Sequence, residues 1–186
     1  TCPPKYIEKI CEVAQSLGAG MHIHLSETLK ENEDLKNKYN KTPTEFMKDL
    51  GVFNLRTTAA HCVHLSESDM DILKEYNVYV AYNPTSNLKL GSGIAKISKM
   101  KDKGIKIAIG TDGASSNNNL NILEEIHLSS ILSYGSTQNP LALSSKDIFN
   151  MATKNGAYAL GFSDTGSIKV GKKADIVIFD IDKPHF

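Results

Sequence analysis

Four short apolar runs recur along the chain: Ala-Gly-Met-His-Ile-His-Leu at 19–25, Thr-Thr-Ala-Ala-His-Cys-Val at 57–63, Val-Tyr-Val-Ala-Tyr at 78–82 and Ile-Lys-Ile-Ala-Ile-Gly at 105–110. Each is of strand length, and three are rich in β-branched residues, which suit a pleated surface. Between them the apolar spacing shifts to the helical period. Residues 42–50 predict a helix with Thr42 as N-cap and Pro43 at its first position. Residues 66–76 carry Met70, Leu73 and Tyr76 on one face. Residues 94–103 repeat this with Ile94, Ile97 and Met100 before Gly104 stops the helix. Strand, helix, strand, helix predicts βα units and a parallel sheet, and each interval leaves room for a crossover helix.

Two more helices are expected after the fourth strand. One covers 120–134, with Leu120, Leu123, Ile126 and Ile131, and one covers 146–160, opened by Ser144 or Ser145. After Gly161 the texture changes. Residues 167–181 read as a Gly turn between two β-rich runs, the opening of a small β domain. Four βα units are too few to close a barrel of eight, and a four-stranded parallel sheet keeps two open edges. The pattern therefore reads as part of a larger unit, and the open edges predict self-association, a homo-oligomer in an isolated chain.

Composition narrows the class. The 186 residues balance 21 Lys+Arg against 21 Asp+Glu, so no basic footprint for nucleic acid is expected. No apolar run approaches the roughly 20 residues that cross a bilayer. Thr1 opens directly into a Pro-Pro pair and a polar helix, without the pattern of a secretory leader. None of the three cysteines (Cys2, Cys11, Cys62) forms a Cys-x-x-Cys pair, which favours a reducing compartment. A globular cytoplasmic protein is the expectation.

Candidate chemistry gathers where the strands end. His24 closes the first run and Glu27 follows in the loop. In parallel α/β folds sites collect at the C-terminal strand ends, although a buried His and a helix-starting Glu would look the same. His22 and His24 alternate, so both rings should share a face. His61 closes the second run. Cys62 should point away from it into the helix layer, and His64 should lie in the loop facing solvent. Asp112 follows the fourth run in Gly-Thr-Asp-Gly, as a ligand, a general base or a turn Asp. Together His24, His61 and Asp112 fall at equivalent tips of different strands, and that convergence is more specific than any one of them. Two His and an Asp suit Zn²⁺ or Fe²⁺ with a position left for water, whose pKa the metal lowers towards ~7. Glu27 would shuttle the proton. No Gly-x-Ser-x-Gly elbow, phosphate-binding loop or dinucleotide fingerprint is present.

Four segments carry a resemblance: Met-His-Ile-His-Leu-Ser-Glu-Thr at 21–28, Ala-Ala-His-Cys-Val-His-Leu at 59–65, Asn-Pro-Thr-Ser-Asn-Leu-Lys-Leu-Gly at 83–91, and Gly-Thr-Asp-Gly-Ala-Ser-Ser-Asn-Asn-Asn-Leu-Asn at 110–121. In order, they resemble the amidohydrolase superfamily, in its 5-methylthioadenosine/S-adenosylhomocysteine deaminase branch, with guanine deaminases and chlorohydrolases beside it. The resemblance implies an α/β fold, the fifth to eighth strands of a metal-dependent (β/α)₈ barrel over 1–162, and the start of a composite β-sandwich over 163–186. By it, His24 and Asp112 match metal ligands for one divalent ion, Zn²⁺ or Fe²⁺. Glu27 matches the acid/base that contacts substrate, and His61 the residue that orients the attacking water. Asp112 matches a proton acceptor that also touches substrate.

The implied reaction is hydrolytic deamination of an adenine nucleoside: hydroxide attacks C6, Glu27 protonates a ring nitrogen, and ammonia leaves. The family's first-strand His-x-His and fourth-strand substrate-binding His have no match in this chain. The resemblance thus implies the C-terminal portion of a longer enzyme, inactive alone. A non-enzymatic truncated barrel module is the alternative from another class.

Overall fold

Short parallel strands return to one end of a sheet only if a helix carries the chain back each time, and the fold is built on that rule. The structure is a computed structural model and describes residues 2–182. Helix α1 (Pro4–Ser16) leads into β1 (Met21–Leu25), followed by α2 (Leu29–Tyr39), α3 (Pro43–Asp49) and a 3₁₀ turn at Val52–Asn54. Then come β2 (Thr57–His61), α4 (Glu67–Glu75), β3 (Tyr79–Tyr82), α5 (Pro84–Lys89), α6 (Ile97–Asp102) and β4 (Lys106–Ile109). Four helices close the described chain: α7 (Ala114–Asn117), α8 (Ile122–Thr137), α9 (Ser145–Ala152) and α10 (Lys154–Ala159). The strands form one parallel sheet in the order β1-β2-β3-β4. All four expected strands are present, and the α/β class with a parallel sheet holds.

Local chemistry explains the helix starts. Thr42, Ser66 and Ser144 each form a capping box, with Glu45, Asp69 and Asp147 returning a carboxylate to the N-cap backbone. Each such cap is worth about 1 kcal/mol because it satisfies orphaned N–H groups. Gly104, at φ +83°, ends α6 in the left-handed region that glycine enters without strain.

Four stretches differ from expectation. The helix expected over 120–134 runs from Ile122 to Thr137, leaving Leu120 outside it and exposed. Helix α6 starts at Ile97, three residues late, because the left-handed Gly93 holds the preceding turn; Ile94 is exposed while Ile97 and Met100 are buried. The stretch 146–160 is two helices, broken at Thr153, whose φ −125° and ψ −90° lie outside the helical region. Residues 167–182 hold no strand among the described residues, and the β-rich run there lies exposed with no strand to pair with. Residues 183–186 of the expected β domain lie outside the described residues. Helix α2, strongly polar with no buried residue, gave no apolar signal to read.

The strand register sorts the two sheet faces. Ile23, Ala59, Val80 and Ile107 lie side by side across the sheet and face the helix layer, where Leu25, Met70, Leu73, Tyr82, Met100 and Ile148 complete the core. The neighbouring row is His24, Ala60, Ala81 and Ala108, on the other face. Three alanines leave space beside the His24 ring. Distant segments anchor the sheet from below and at its edge. Thr58 Oγ1 donates to the Ala159 carbonyl at 3.1 Å, and Asn155 Nδ2 covers the Ile107 carbonyl at 2.7 Å.

Candidate active site

Three of the four strand exits bend through the left-handed region without glycine: Ser26 at φ 49°, His61 and Cys62 at 72° and 52°, and Asp112 at 60°. Such backbone costs on the order of 1–2 kcal/mol for a residue with a Cβ, and it gathers where side-chain aim matters. At His61 the consequence is visible. In register His61 sits opposite Leu25, so straight alternation would send both side chains to the helix layer. Instead the His61 ring stacks on His24, 5.3 Å between centroids and 15° between planes, and Cys62 takes the core position with no exposed surface. Cys62 therefore packs away from His61, as expected, and burial pushes its thiol up. Two consecutive left-handed residues, rather than alternation, produce that arrangement.

His61 is buried, and its Nδ1 donates to Asn87 Oδ1 at 2.8 Å. An acceptor at Asn87 Oδ1 calls for a proton on Nδ1, so in the neutral ring Nε2 is the acceptor. Nε2 lies 3.7 Å from Glu27 Oε2. Glu27 Oε1 accepts from Ser92 Oγ at 3.1 Å. The loop carrying Glu27 is itself held by Glu31, whose carboxylate accepts from the Ser26 and Glu27 backbone N–H groups at 3.0 and 2.8 Å. Glu27 and His61 are thus brought together with His24.

Asp112 completes the row of strand tips. Its Oδ2 accepts from Ser86 Oγ (2.6 Å) and Ser116 Oγ (2.9 Å), and its Oδ1 from the Gly113 N–H (2.8 Å). Burial is the largest single influence and opposes ionisation. The three donors and the nearby His61 outweigh it and hold the carboxyl below the usual range. Asp112 is therefore a carboxylate at neutral pH. His22 shares the face of His24, as alternation requires; burial, then His24 and His61, push its imidazole pKa down. His64 does not face solvent. It is half-buried, and its Nε2 hydrogen-bonds the Ser92 carbonyl at 2.7 Å, because the loop after β3 folds over it.

Residues that periodicity did not single out support the site. Asn87 comes from α5 and Ser92 from the loop that follows it. Glu125 on α8 is buried and accepts from the Thr85 N–H (3.1 Å) and Asn117 Nδ2 (2.8 Å), tying α5 and α7 to one helix. Burial, then Glu125, raises the pKa of Tyr82 beneath. Only a polar residue inside an apolar helical face hints at Glu125 in the sequence.

For a metal, His24 and Asp112 offer an imidazole and a carboxylate, donors of the type zinc takes. Asp112 Oδ1 accepts a single hydrogen bond and so keeps a lone pair. Two donors are half of a tetrahedral set. Among the described residues no three His, Cys, Asp or Glu side chains gather as a metal cluster.

The structure is that of an α/β protein with His24, His61, Glu27 and Asp112 at or just beyond the C-terminal ends of parallel strands. The chain belongs to the amidohydrolase family, whose model matches residues 1–186. It is 50% identical to a 5-methylthioadenosine/S-adenosylhomocysteine deaminase of Caldanaerobacter subterraneus subsp. tengcongensis, over all of this chain and 43% of that protein. It is 47% identical to a 5′-deoxyadenosine deaminase of Methanosarcina acetivorans, over all of this chain and 43% of that one. A zinc-bound adenosine deaminase from Xanthomonas campestris superposes with a TM-score of 0.91 at 36% identity, over 94% of this chain and 40% of that one. The chain spans less than half the length of the curated relatives it matches. No helix among the described residues is long and apolar enough to cross a membrane.

Proposed function

We propose that this chain supplies the C-terminal part of the active site of a cytoplasmic enzyme that deaminates an adenine nucleoside of the methylthioadenosine, S-adenosylhomocysteine or adenosine type. Residues 1–162 would form half of an amidohydrolase barrel and 163–186 the start of a sandwich. The observation that carries the reading is the 3.7 Å approach of Glu27 Oε2 to Nε2 of a buried His61, whose ring stacks on His24. The names of the relatives and the zinc in the adenosine deaminase structure support it.

A divalent metal, zinc by preference, held by His24 and Asp112 with donors from outside this chain, would make water nucleophilic at neutral pH. Glu27 is the mobile-proton carboxylate, with Oε1 engaged by Ser92 and Oε2 turned to His61. From there it takes one proton from the attacking water and delivers it to a purine ring nitrogen, which makes C6 electrophilic. In its Nδ1–H form His61 accepts a hydrogen bond at Nε2 and so orients the attacking water. Asp112, held ionised by three donors, accepts the remaining proton and passes it to the departing amine. Nucleic acid and membrane play no part in this reading; a homo-oligomer remains the expected assembly.

Ammonia release from 5′-methylthioadenosine tests the proposal, measured on a zinc-loaded protein of the relatives' full length that carries this chain. Turnover is expected, and Glu27→Gln should lower kcat by at least about 100-fold with the melting temperature unchanged. Release from guanine or loss of chloride from atrazine, with all adenine nucleosides inert, would overturn the adenine reading.

A further inference from the structure

The loop after β3 contains Gly91-Ser92-Gly93, and both glycines lie in the left-handed region, at φ +71° and +117°. A Cβ on Gly93 would come within 3.2 Å of Val63, so the chain also needs glycine for the close approach. Between these two bends Ser92 is pinned on three sides. Its N–H donates to the Asn87 carbonyl at 2.8 Å, its carbonyl accepts from His64 Nε2 at 2.7 Å, and its Oγ donates to Glu27 Oε1 at 3.1 Å. The residue is 6% exposed.

The contacts close a ring through the site. Ser92 binds Glu27; Glu27 faces His61; His61 donates to Asn87; and the Asn87 carbonyl receives the Ser92 N–H. One continuous segment, α5 and the loop after it, therefore sets both members of the Glu27–His61 pair. The hydroxyl engages one lone pair of Oε1 and holds the carboxylate plane, so that Oε2, the oxygen without that bond, is the one presented on the side of His61. Without that bond the Glu27 side chain regains its terminal torsion, and either oxygen can face away.

We infer that Ser92 is a positioning residue for Glu27, selecting which carboxylate oxygen meets the substrate. The inference rests on the proposed deaminase reading for its kinetic arm alone. Ser92→Ala and Ser92→Thr are compared with the unaltered full-length, zinc-loaded protein. Ser92→Ala should lower kcat about 10- to 100-fold while KM stays within about twofold, and Ser92→Thr, which keeps the hydroxyl, should recover most of the loss. Crystal structures of the same proteins supply a readout independent of turnover. Glu27 should hold one rotamer with serine or threonine at 92 and several with alanine.

A single unchanged Glu27 rotamer in Ser92→Ala overturns the inference. So does a kcat loss shared equally by Ser92→Thr together with a lowered melting temperature, which would mark a merely structural residue. If the unaltered protein releases no ammonia, the deaminase reading fails, while the rotamer comparison still decides the role of Ser92.

Discussion

Removing the Asn87 amide tests the tautomer argument most directly. Asn87 has no exposed surface, and its Oδ1 is the partner of the His61 Nδ1 proton at 2.8 Å. In Asn87→Ala the buried His61 N–H loses its acceptor, which costs about 1–3 kcal/mol, offset in part because the change also removes Asn87 Nδ2, a buried donor without a hydrogen-bond partner among the described residues. The missing carboxamide volume adds to that, for a total of about 2–3 kcal/mol. The backbone of residue 87 still receives the Ser92 and Gly93 N–H groups, so the loop itself should stay in place. Urea unfolding should then show the midpoint lowered by about 1–2 M with an unchanged slope. Two-bond proton–nitrogen spectra distinguish the imidazole tautomers. They should show Nδ1–H alone in the unaltered protein and a mixture in the variant. Turnover should fall on the order of 100-fold, since the mixture often presents Nε2–H, a donor, where an acceptor is needed. An Asn87→Ala protein with a stability loss below about 0.5 kcal/mol and a single Nδ1–H tautomer would refute the reasoning.

Two further perturbations probe the frame around the site. A Cβ at Gly110 would lie 2.5 Å from Asn83 Oδ1, where ordinary contact begins at 3.4 Å. Gly110→Ala must therefore displace one of them by roughly 0.9 Å, and because the Asn83 side chain is itself buried the cost should be about 1–3 kcal/mol in thermal unfolding; an unchanged melting temperature would argue against it. Asp147 is held at a pKa of about 2, against an ordinary 3.8, chiefly by Lys101, then by Ser144. Its stabilisation is complete above about pH 4 and is lost as pH falls towards 2. Because the carboxylate is partly exposed, the loss should be about 1 kcal/mol, and Asp147→Asn should flatten that part of the acid unfolding curve.

The elements themselves were legible in the sequence because their causes are local. A β-branched run of five residues, a Thr-Pro or Ser start with an acid three residues on, and a glycine stop all act within one turn or one strand. The strand tips carrying His24, His61 and Asp112 could be located for the same reason. The break at Thr153 and the late start of α6 were not legible, since both depend on how neighbouring turns pack.

The working geometry of the site belongs to the tertiary structure. Alternation alone would put His61 on the side of Leu25, and only the paired left-handed residues at 61 and 62 turn the ring onto His24. The proton on His61 is placed by Asn87, 26 residues later, and the free oxygen of Glu27 is selected by Ser92, 65 residues later. His64, read as a solvent-facing loop residue, is closed over by that same loop. Sequence fixes what each residue can donate or accept and where its strand ends. Which partner it meets is decided by contacts between segments far apart in the chain, and no periodicity encodes those.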